Sequence, residues 1–388
     1  MSAEGRLSRQ AAIVGLAEYG CGVAPAGLSA LDITERAAHL ALDDAGLTPR
    51  DVDAVFSHSA FYPMPTVTLC ERMGIDPHMT DSTATGGSSF LAHVRHAAAA
   101  IHAGLCEVAL IAYGSNQRSA AGGLVASGGA HVMPYETPFG PRLPVSGYAL
   151  AAARHMHQYG TTREDLAEVA VAARQWAQLN PAAFAQGDLT INDVMQARMV
   201  SSPLSVLDCC LVTDGGGAVV MTSAERALDL PQPAVHYLGG GEALTHVSIS
   251  QMPDLTVTAA AASSDRAFAA AGLRPSDVDV VELYDAFTIN VLLFLEDLGF
   301  CAKGEAGDFV RGGGIAPGGR LPVNTNGGGL SFCHPGMYGI FTVTEAALQL
   351  RGQAGDRQVA DAAVALAHGN GGVLSSQATV LLGSAATR

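Results

Sequence analysis

The chain is organised around Asp81-Ser-Thr-Ala-Thr-Gly-Gly-Ser-Ser-Phe90 and the run that follows it, Leu91-Ala-His-Val-Arg-His-Ala-Ala-Ala-Ala-Ile-His-Ala-Gly104. The i, i+3, i+4 spacing of a buried helix stripe links Phe90, Val94, Ala97, Ala98 and Ile101. A helix is therefore predicted to begin near Gly87. Its first turn would offer unpaired N–H groups and a partial positive charge, which suit an anion or a thiolate nucleophile. No Cys lies in this loop.

Composition narrows the class of protein. The 388 residues carry a formal net charge of -15 and no basic tract, which disfavours nucleic acid as a partner. The start, Met1-Ser-Ala-Glu-Gly-Arg6, has no apolar leader, and no apolar run is long enough to span a membrane, so we expect a cytoplasmic protein without a membrane segment. The seven Cys form no C-x-x-C pair, so we expect neither disulfides nor a zinc site, and we expect no cofactor.

Strand-like and helix-like segments alternate, which predicts an α/β fold with a mostly parallel sheet. Strands are predicted over 11–19, 52–58, 108–113 and within 206–220, and helices over 29–45 (capped by Gly46) and 162–179. Residues 114–160 are rich in Gly and Pro and are predicted to form a loop domain over one end of the sheet.

The second half of the chain repeats the first. Ala45-Gly-Leu-Thr-Pro-Arg-Asp-Val-Asp-Ala-Val55 returns as Ala271-Gly-Leu-Arg-Pro-Ser-Asp-Val-Asp-Val-Val281, with eight of eleven positions identical at an offset of 226. Two similar halves are therefore predicted, over residues 1–230 and 231–388.

The stretch around Gly87 resembles the nucleophile helix of the thiolase superfamily, in which a Cys opens a helix that ends in a pattern like Ala-Ile-x-Ala-Gly. Counting back from Ile101 places the family's Cys on Gly87, whereas aligning the Thr-Gly pair would place it on Thr83; Gly87 is preferred because gaps inside a packed helix are costly. The resemblance implies the thiolase fold: two duplicated βαβαβαββ halves in a five-layer αβαβα arrangement, with a loop domain inserted in the first half.

Three further stretches resemble thiolase active-site loops, most closely those of the sterol-carrier-protein-X type. Tyr284 stands where that group has His in Val281-Glu-Leu-Tyr-Asp-Ala-Phe-Thr288. Tyr338 takes the hydroxyl position of Cys333-His-Pro-Gly-Met-Tyr-Gly339, and His368 lies near the second Cys position in Ala365-Leu-Ala-His-Gly-Asn-Gly-Gly372. The resemblance thus implies Tyr284, Tyr338 and His334 as catalytic residues. It also implies substrate contacts from Gly87, Ser88, Asp285, Gly339, His368, Asn370 and Gly371.

Without either Cys, acyl transfer has no nucleophile. The remaining groups suit a retro-aldol cleavage of a β-hydroxyacyl-CoA, in which a base takes the hydroxyl proton and an acid protonates the thioester enolate. A Tyr with an ordinary pKa is a poor base at neutral pH, so the order of acid and base among Tyr284 and Tyr338 stays open. The missing side chain at Gly87 is interpreted as room for a branched β-carbon.

The loss of both Cys resembles thiolase-like aldolases of the lipid-transfer-protein type, which cleave the side chains of steroid CoA thioesters. That resemblance implies a homodimer and a small partner protein with a zinc ribbon and an OB-like domain. Two alternatives remain: a non-catalytic acyl-CoA or lipid-binding subunit, and a thiolase with a displaced nucleophile such as Cys333.

Overall fold

The computed structural model describes residues 6–121 and 135–387. The first half of the chain begins with a regular alternation of strands and helices. In order these are β1 (Ala11–Gly22), α1 (Ala30–Ala45), β2 (Ala54–Ser57), α2 (Pro65–Met73), β3 (Met79–Asp81), α3 (Ser89–His102) and β4 (Val108–Ser115). Helix α1 agrees with the predicted helix, because Ser29 and Asp32 form a capping box at its start and Gly46 ends it in the left-handed conformation.

A largely helical insert follows β4. It contains α4 (Gln117–Ala121), α5 (Val145–Tyr159), α6 (Arg163–Gln178), α7 (Ile191–Gln196) and a two-stranded ribbon of β5 (Met199–Ser201) and β6 (Leu204–Ser205). The prediction of a loop over 114–160 is wrong for 145–159, where α5 buries one face against the core. The part of that prediction that covers 122–134 lies outside the described residues.

The second half follows strand β7 (Asp214–Ser223). Its elements are β8 (Val235–Leu244), α8 (Ala260–Ala271), β9 (Val280–Leu283), α9 (Thr288–Asp297), α10 (Ala306–Val310), α11 (Gly339–Arg351), β10 (Val364–Gly371) and β11 (Ser376–Gly383). The predicted boundary between 230 and 231 lies in the connection between β7 and β8.

The strand order shows the duplication directly. The sheet runs β3-β2-β4-β7-β1 through the first half and continues as β8-β11-β10-β9 through the second. In each half two neighbouring strands toward the outer edge of the sheet pair in parallel, β2 with β4 and β9 with β10, while the strands nearer the centre pair antiparallel. A parallel bridge between Val281 and Val323 stands where β3 stands in the first half. The predicted duplication is confirmed.

The sheet is mixed, so the prediction of a mostly parallel sheet is wrong. The chain returns from the insert as β7, which lies antiparallel between β4 and β1. In the second half, β11 likewise lies antiparallel between β10 and β8. Within residues 6–121 and 135–387, the half-sheets are joined by β1 and β8, through the short pairing of Ala12 with His236 and Ile13 with Val235. Helical periodicity predicted the helices that connect the strands. The direction of β7, however, depends on the edge of the sheet at which the insert ends.

Helices α3 and α11 lie side by side between the two half-sheets and contact strands of both. Helix α1 covers the outer face of the first half-sheet and α8 that of the second, which completes the predicted order of alternating helical and sheet layers. The predicted apolar stripe of α3 is buried: Phe90, Val94 and Ala97 have no exposed surface. Because α3 and α11 meet in this central layer, their N-terminal ends bring loops from both halves together.

Candidate active site

Loops from both halves and the start of α5 enclose a cavity of about 360 Å³. Its walls come from the turn before α3, the β9–α9 connection, the loop before α11 and the end of β10. The lining residues are Gly86, Gly87, Leu143, Pro144, Tyr148, Cys210, Val247, Tyr284, Ala286, Phe287, His334, Gly336, Met337, Asn370, Gly371, Gly372 and Val373. Most of this surface is apolar, so the polar groups at the wall are few and stand out.

Gly87 and Tyr284 compete for the same space. A Cβ atom at Gly87 would overlap ring atom Cε2 of Tyr284 and lie 2.7 Å from the carbonyl oxygen of Asn370. The ring of Tyr284 therefore fills the volume in which the matched thiolase Cys would extend. The interpretation of Gly87 as room for a branched substrate carbon is wrong, because a protein side chain occupies that room.

Tyr284 reaches the cavity as a neutral phenol. Its hydroxyl donates to the carbonyl oxygen of Gly336 at 3.3 Å, and its backbone N–H donates to the carbonyl of His368 at 3.0 Å. Burial raises the pKa of Tyr284 well above its usual value of 10. A phenol in this state stays protonated near neutral pH and can donate a hydrogen bond.

His334 lines the cavity with both ring nitrogens free. Neither Nδ1 nor Nε2 has a hydrogen-bond partner among the described residues, although the side chain is buried. Burial lowers the pKa of His334 to about 4, so the imidazole is neutral and keeps an unshared lone pair. The ring stands edge-on to Tyr284, with centroids 5.5 Å apart at 84°. The tertiary structure thus brings a free acceptor beside a phenolic donor.

Tyr338 lies beneath these two rings. It has no exposed surface and is not a lining residue, and its hydroxyl donates to Oδ1 of Asn326 at 2.8 Å. Its ring is 5.9 Å from that of Tyr284 and stacks on His334 at 6.2 Å and 13°. The three predicted catalytic residues are therefore adjacent, but only Tyr284 and His334 face the cavity. In this arrangement the ring of Tyr338 supports the imidazole.

Asp285 stabilises a neighbouring turn and does not line the cavity. It accepts hydrogen bonds from the backbone N–H groups of Gly329 at 2.6 Å and Leu330 at 3.3 Å. The carboxyl group is fully buried, and this burial raises its pKa to about 7. The carboxylate of Asp285 therefore holds the turn at Gly329 and Leu330, and it does not make the predicted contact with substrate.

Two more predicted substrate contacts are also held inside the protein. Nδ1 of His368 lies 2.9 Å from Oγ1 of Thr379, and its Nε2 lies 3.0 Å from Oε1 of Gln377. Burial lowers the pKa of His368 to about 3. Oγ of Ser88 donates to the carbonyl of Thr85 at 2.9 Å and is 2.8 Å from Oγ of Ser376. Neither side chain lines the cavity.

The predicted glycines permit close packing around the start of α3. A Cβ atom at Gly371 would overlap the carbonyl oxygen of Thr85, and one at Gly339 would overlap that of Gly87. Gly371 lines the cavity, as predicted for a substrate-contacting residue, and so does Asn370, whereas Gly339 does not. Strand β10 and helix α11 can approach α3 only because these positions lack side chains.

The aromatic wall of the cavity was not predicted from the sequence. Tyr148 packs against Phe287 with centroids 4.4 Å apart at 31°. Tyr148 was overlooked because it lies in the segment interpreted as a loop. A signal was present, since the buried residues Tyr148, Ala151, Ala152 and His155 follow helical spacing.

The thiols do not supply a nucleophile. Cys333, the candidate for a displaced nucleophile, has no exposed surface and does not line the cavity, and burial raises its pKa well above 9. Cys210 does line the cavity, but burial raises its pKa well above 9 as well. Both are therefore neutral thiols, which are poor nucleophiles.

A wider recess of about 770 Å³ opens beside the cavity and shares Gly86, Val247, Gly371 and Gly372 with it. Its remaining walls are formed by 84–85, 244–246 and 375–376. Ring atom Nε2 of His246 is 2.9 Å from the carbonyl oxygen of Val373, which ties the 244–247 loop to the turn between β10 and β11. The cavity that holds Tyr284 and His334 thus borders a larger recess.

Residues 6–121 and 135–387 lack two further features. No group of three or more His, Cys, Asp or Glu side chains in those ranges is placed to hold a metal ion. Of the helices described there, none combines the length and the hydropathy that crossing a membrane requires.

Fold and site together define a thiolase-fold protein that has a glycine, Gly87, at the position of the nucleophile. The ring of Tyr284 covers this glycine. The family profile described as Thiolase C-terminal domain-like matches residues 241–384. A steroid side-chain-cleaving aldolase from Thermomonospora curvata is 36% identical over 84% of this chain and 86% of its own. The 17-hydroxy-3-oxo-4-pregnene-20-carboxyl-CoA lyase of Mycobacterium tuberculosis is 36% identical over 89% of this chain and 92% of its own.

The solved structure of the Ltp2-ChsH2(DUF35) aldolase is similar throughout, with a TM-score of 0.89, 34% identity and coverage of 97% of this chain and 98% of that one. The chain belongs to the thiolase superfamily, in the group of lipid-transfer-type aldolases. The resemblance identified from the Gly87 and Tyr284 loops is thereby confirmed.

Proposed function

We propose that this protein is a carbon–carbon lyase that cleaves a β-hydroxyacyl-CoA by a retro-aldol reaction. The observation that carries the proposal is the pairing of Tyr284 and His334 in the cavity. Tyr284 fills the place of the nucleophile side chain with a phenolic donor, and His334 presents a neutral imidazole whose nitrogens have no partner among the described residues. Such a pair can move protons without forming a covalent intermediate.

The reaction balances with these two groups. His334 accepts the proton of the β-hydroxyl, the oxygen lone pair forms the carbonyl, and the electrons of the Cα–Cβ bond move to Cα to give the thioester enolate. Tyr284 then donates its proton to Cα, and the imidazolium returns a proton to the phenolate. The products are a ketone or aldehyde and a shorter acyl-CoA.

The space around the site supports a bulky acyl group. The relatives from Thermomonospora curvata and Mycobacterium tuberculosis are described as acting on steroid side chains and on a steroid carboxyl-CoA. We extend that substrate class to this chain, because the recess of about 770 Å³ borders the reactive cavity along four shared residues. A rigid ring system needs a preformed space of this order.

A partner protein is part of the proposal. The similarity to the Ltp2-ChsH2(DUF35) aldolase supports a complex, and we propose a small zinc-ribbon and OB-fold protein as the second component. A homodimer of this chain is also proposed, since β3 stands at the end of the sheet with no strand on its outer side among the described residues. Sedimentation of the chain alone and with the partner tests both points.

The test is turnover of a series of β-hydroxyacyl-CoA thioesters, from short chains to 17-hydroxy steroid carboxyl-CoA, with and without the co-expressed partner. We expect release of a ketone and a short acyl-CoA, detected by mass spectrometry, and no mass increase on the protein. An acyl adduct on a Cys would establish the alternative of a displaced nucleophile. Tight thioester binding without cleavage of any member, even with the partner, would establish the non-catalytic alternative.

A further inference from the structure

The hydroxyl of Tyr148 joins helix α5 of the insert to the end of β10. It donates to the carbonyl oxygen of Gly372 at 3.0 Å and accepts from Nδ2 of Asn370 at 2.8 Å. The side chain is buried, and this raises the pKa of Tyr148 to about 12. The phenol therefore stays protonated and can donate the hydrogen bond to Gly372. One hydroxyl therefore holds both a side chain and a carbonyl group at the cavity wall.

The amide of Asn370 is also held from the other side. Nε2 of Gln377 donates to Oδ1 of Asn370 at 2.8 Å. Because Oε1 of Gln377 only accepts, Nε2 of His368 must carry the proton for their 3.0 Å contact. Nδ1 of His368 then accepts from the hydroxyl of Thr379 at 2.9 Å. In this arrangement the amide of Asn370 presents Nδ2 to Tyr148 and Oδ1 to Gln377.

Helix α5 is anchored on the face that carries Tyr148. His155 lies two turns further on, and its Nε2 is 3.0 Å from Oε2 of Glu296 in α9. The ring of Tyr148 itself packs on Phe287, the residue that precedes α9. The phenol therefore has little freedom to move away from the end of β10.

We propose that Tyr148 is a positioning residue, which holds the amide of Asn370 at the cavity to bind the thioester oxygen of the substrate. The Nδ2 group has two N–H bonds, and Tyr148 accepts one of them, which leaves the second for a ligand. An N–H fixed before the reaction stabilises the enolate oxygen more than the ground-state carbonyl, so its effect belongs in kcat. This inference rests on the proposed retro-aldol function.

A double-mutant cycle tests it. Tyr148→Phe and Asn370→Ala should each lower kcat by about tenfold, the scale of one lost hydrogen bond, and leave KM within about twofold. Because Tyr148 acts through Asn370, the double variant should be no slower than Asn370→Ala alone. Effects that multiply would show that Tyr148 acts independently of Asn370 and would overturn the proposal. So would a Tyr148→Phe variant with the kcat of the parent.

His155→Gln is the matched control, because it loosens the other anchor on the same face of α5 without touching the cavity. We expect a lower Tm and an unchanged kcat. If it lowers kcat as much as Tyr148→Phe, helix packing alone explains both variants and the proposal fails.

Two further measurements keep the test independent of folding and of the proposed function. Should Tyr148→Phe fail to fold, Gln377→Met removes the other partner of the Asn370 amide and must show the same non-additivity with Asn370→Ala. Should the parent cleave no β-hydroxyacyl-CoA, the retro-aldol proposal fails by itself. The positioning role is then measured as the Kd of a CoA thioether that carries a carboxylate in place of the enolate oxygen, which Tyr148→Phe should raise in the parent but not in Asn370→Ala. An unchanged Kd in the parent background would overturn it.

Discussion

The ring of Tyr284 occupies the space that any side chain at position 87 would enter. The two residues lie in different halves of the chain and meet where α3 and the β9–α9 loop converge. A Cys at 87 and a Tyr at 284 therefore exclude each other in this backbone. The change from nucleophile to phenol needed both positions, because either substitution alone would produce an overlap or leave a void.

Gly87→Ala should be destabilising because its methyl group overlaps the ring of Tyr284. Overpacking of this kind costs about 1–3 kcal/mol, and turnover should fall with it as the ring is displaced. The penalty should shrink when Tyr284→Ala is present, which denaturant unfolding of the two single variants and the double variant measures. Gly187→Ala is the control, since a Cβ there has open space. Equal penalties in both backgrounds would contradict the shared volume.

Tyr284→Phe should lower kcat by about 100-fold or more, the usual scale for a general acid–base group. The ring and its packing remain, so the free energy of unfolding should change by only about 1 kcal/mol, the value of one hydrogen bond. Steady-state kinetics with the best thioester substrate, together with unfolding curves, give both quantities. A variant that turns over within a few-fold of the parent would show that the phenol only packs.

Tyr338→Phe is the matched comparison. Its hydroxyl donates to Asn326 and does not reach the cavity, so we expect a smaller loss of kcat than for Tyr284→Phe, about tenfold, arising from a shifted His334 ring. A loss equal to that of Tyr284→Phe would restore Tyr338 as an equal partner in proton transfer. It would also mean that its bond to Asn326 opens during the reaction.

The buried carboxyl of Asp285 should make stability depend on pH. Its pKa is raised from 3.8 to about 7 in the folded protein, so its contribution is fully present below pH 3.8 and is lost as pH rises through 7. Asp285→Asn should therefore flatten the fall in the free energy of unfolding between about pH 4 and 7, by up to a few kcal/mol. Denaturant midpoints across that range measure it, with the exposed Asp356→Asn as control. Parallel curves for parent and Asp285→Asn would disprove the assignment.

Cys210 should be dispensable for chemistry although it lines the cavity. Because burial keeps it a neutral thiol, Cys210→Ala should retain kcat within about twofold, and so should Cys333→Ala. Slow alkylation at Cys210 would nevertheless fill the cavity and block it. Cys210→Ala should protect against that inactivation. Loss of turnover in a folded Cys333→Ala would instead revive the displaced nucleophile.

Much of the frame was predictable because it depends on patterns that are local in the chain. The repeat of 45–55 at 271–281 predicted two similar halves, and the stripe from Phe90 to Ile101 predicted α3. The matched loops located Tyr284 and His334, because short motifs carry active-site positions along with the fold. Residues 145–159 were missed because Gly and Pro in the flanking segment obscured a helical pattern.

Only the tertiary structure decided which side chains share a space. Tyr284 covers Gly87, Tyr338 lies beneath His334, and Tyr148 meets Asn370, although each pair except the second is separated by nearly 200 residues or more. The sequence by itself determined which residues arrive at the ends of α3, β9, β10 and α11. Their contacts depend on how two half-sheets pack against one central helical layer. Local periodicity in the sequence does not determine the distances between side chains on different elements.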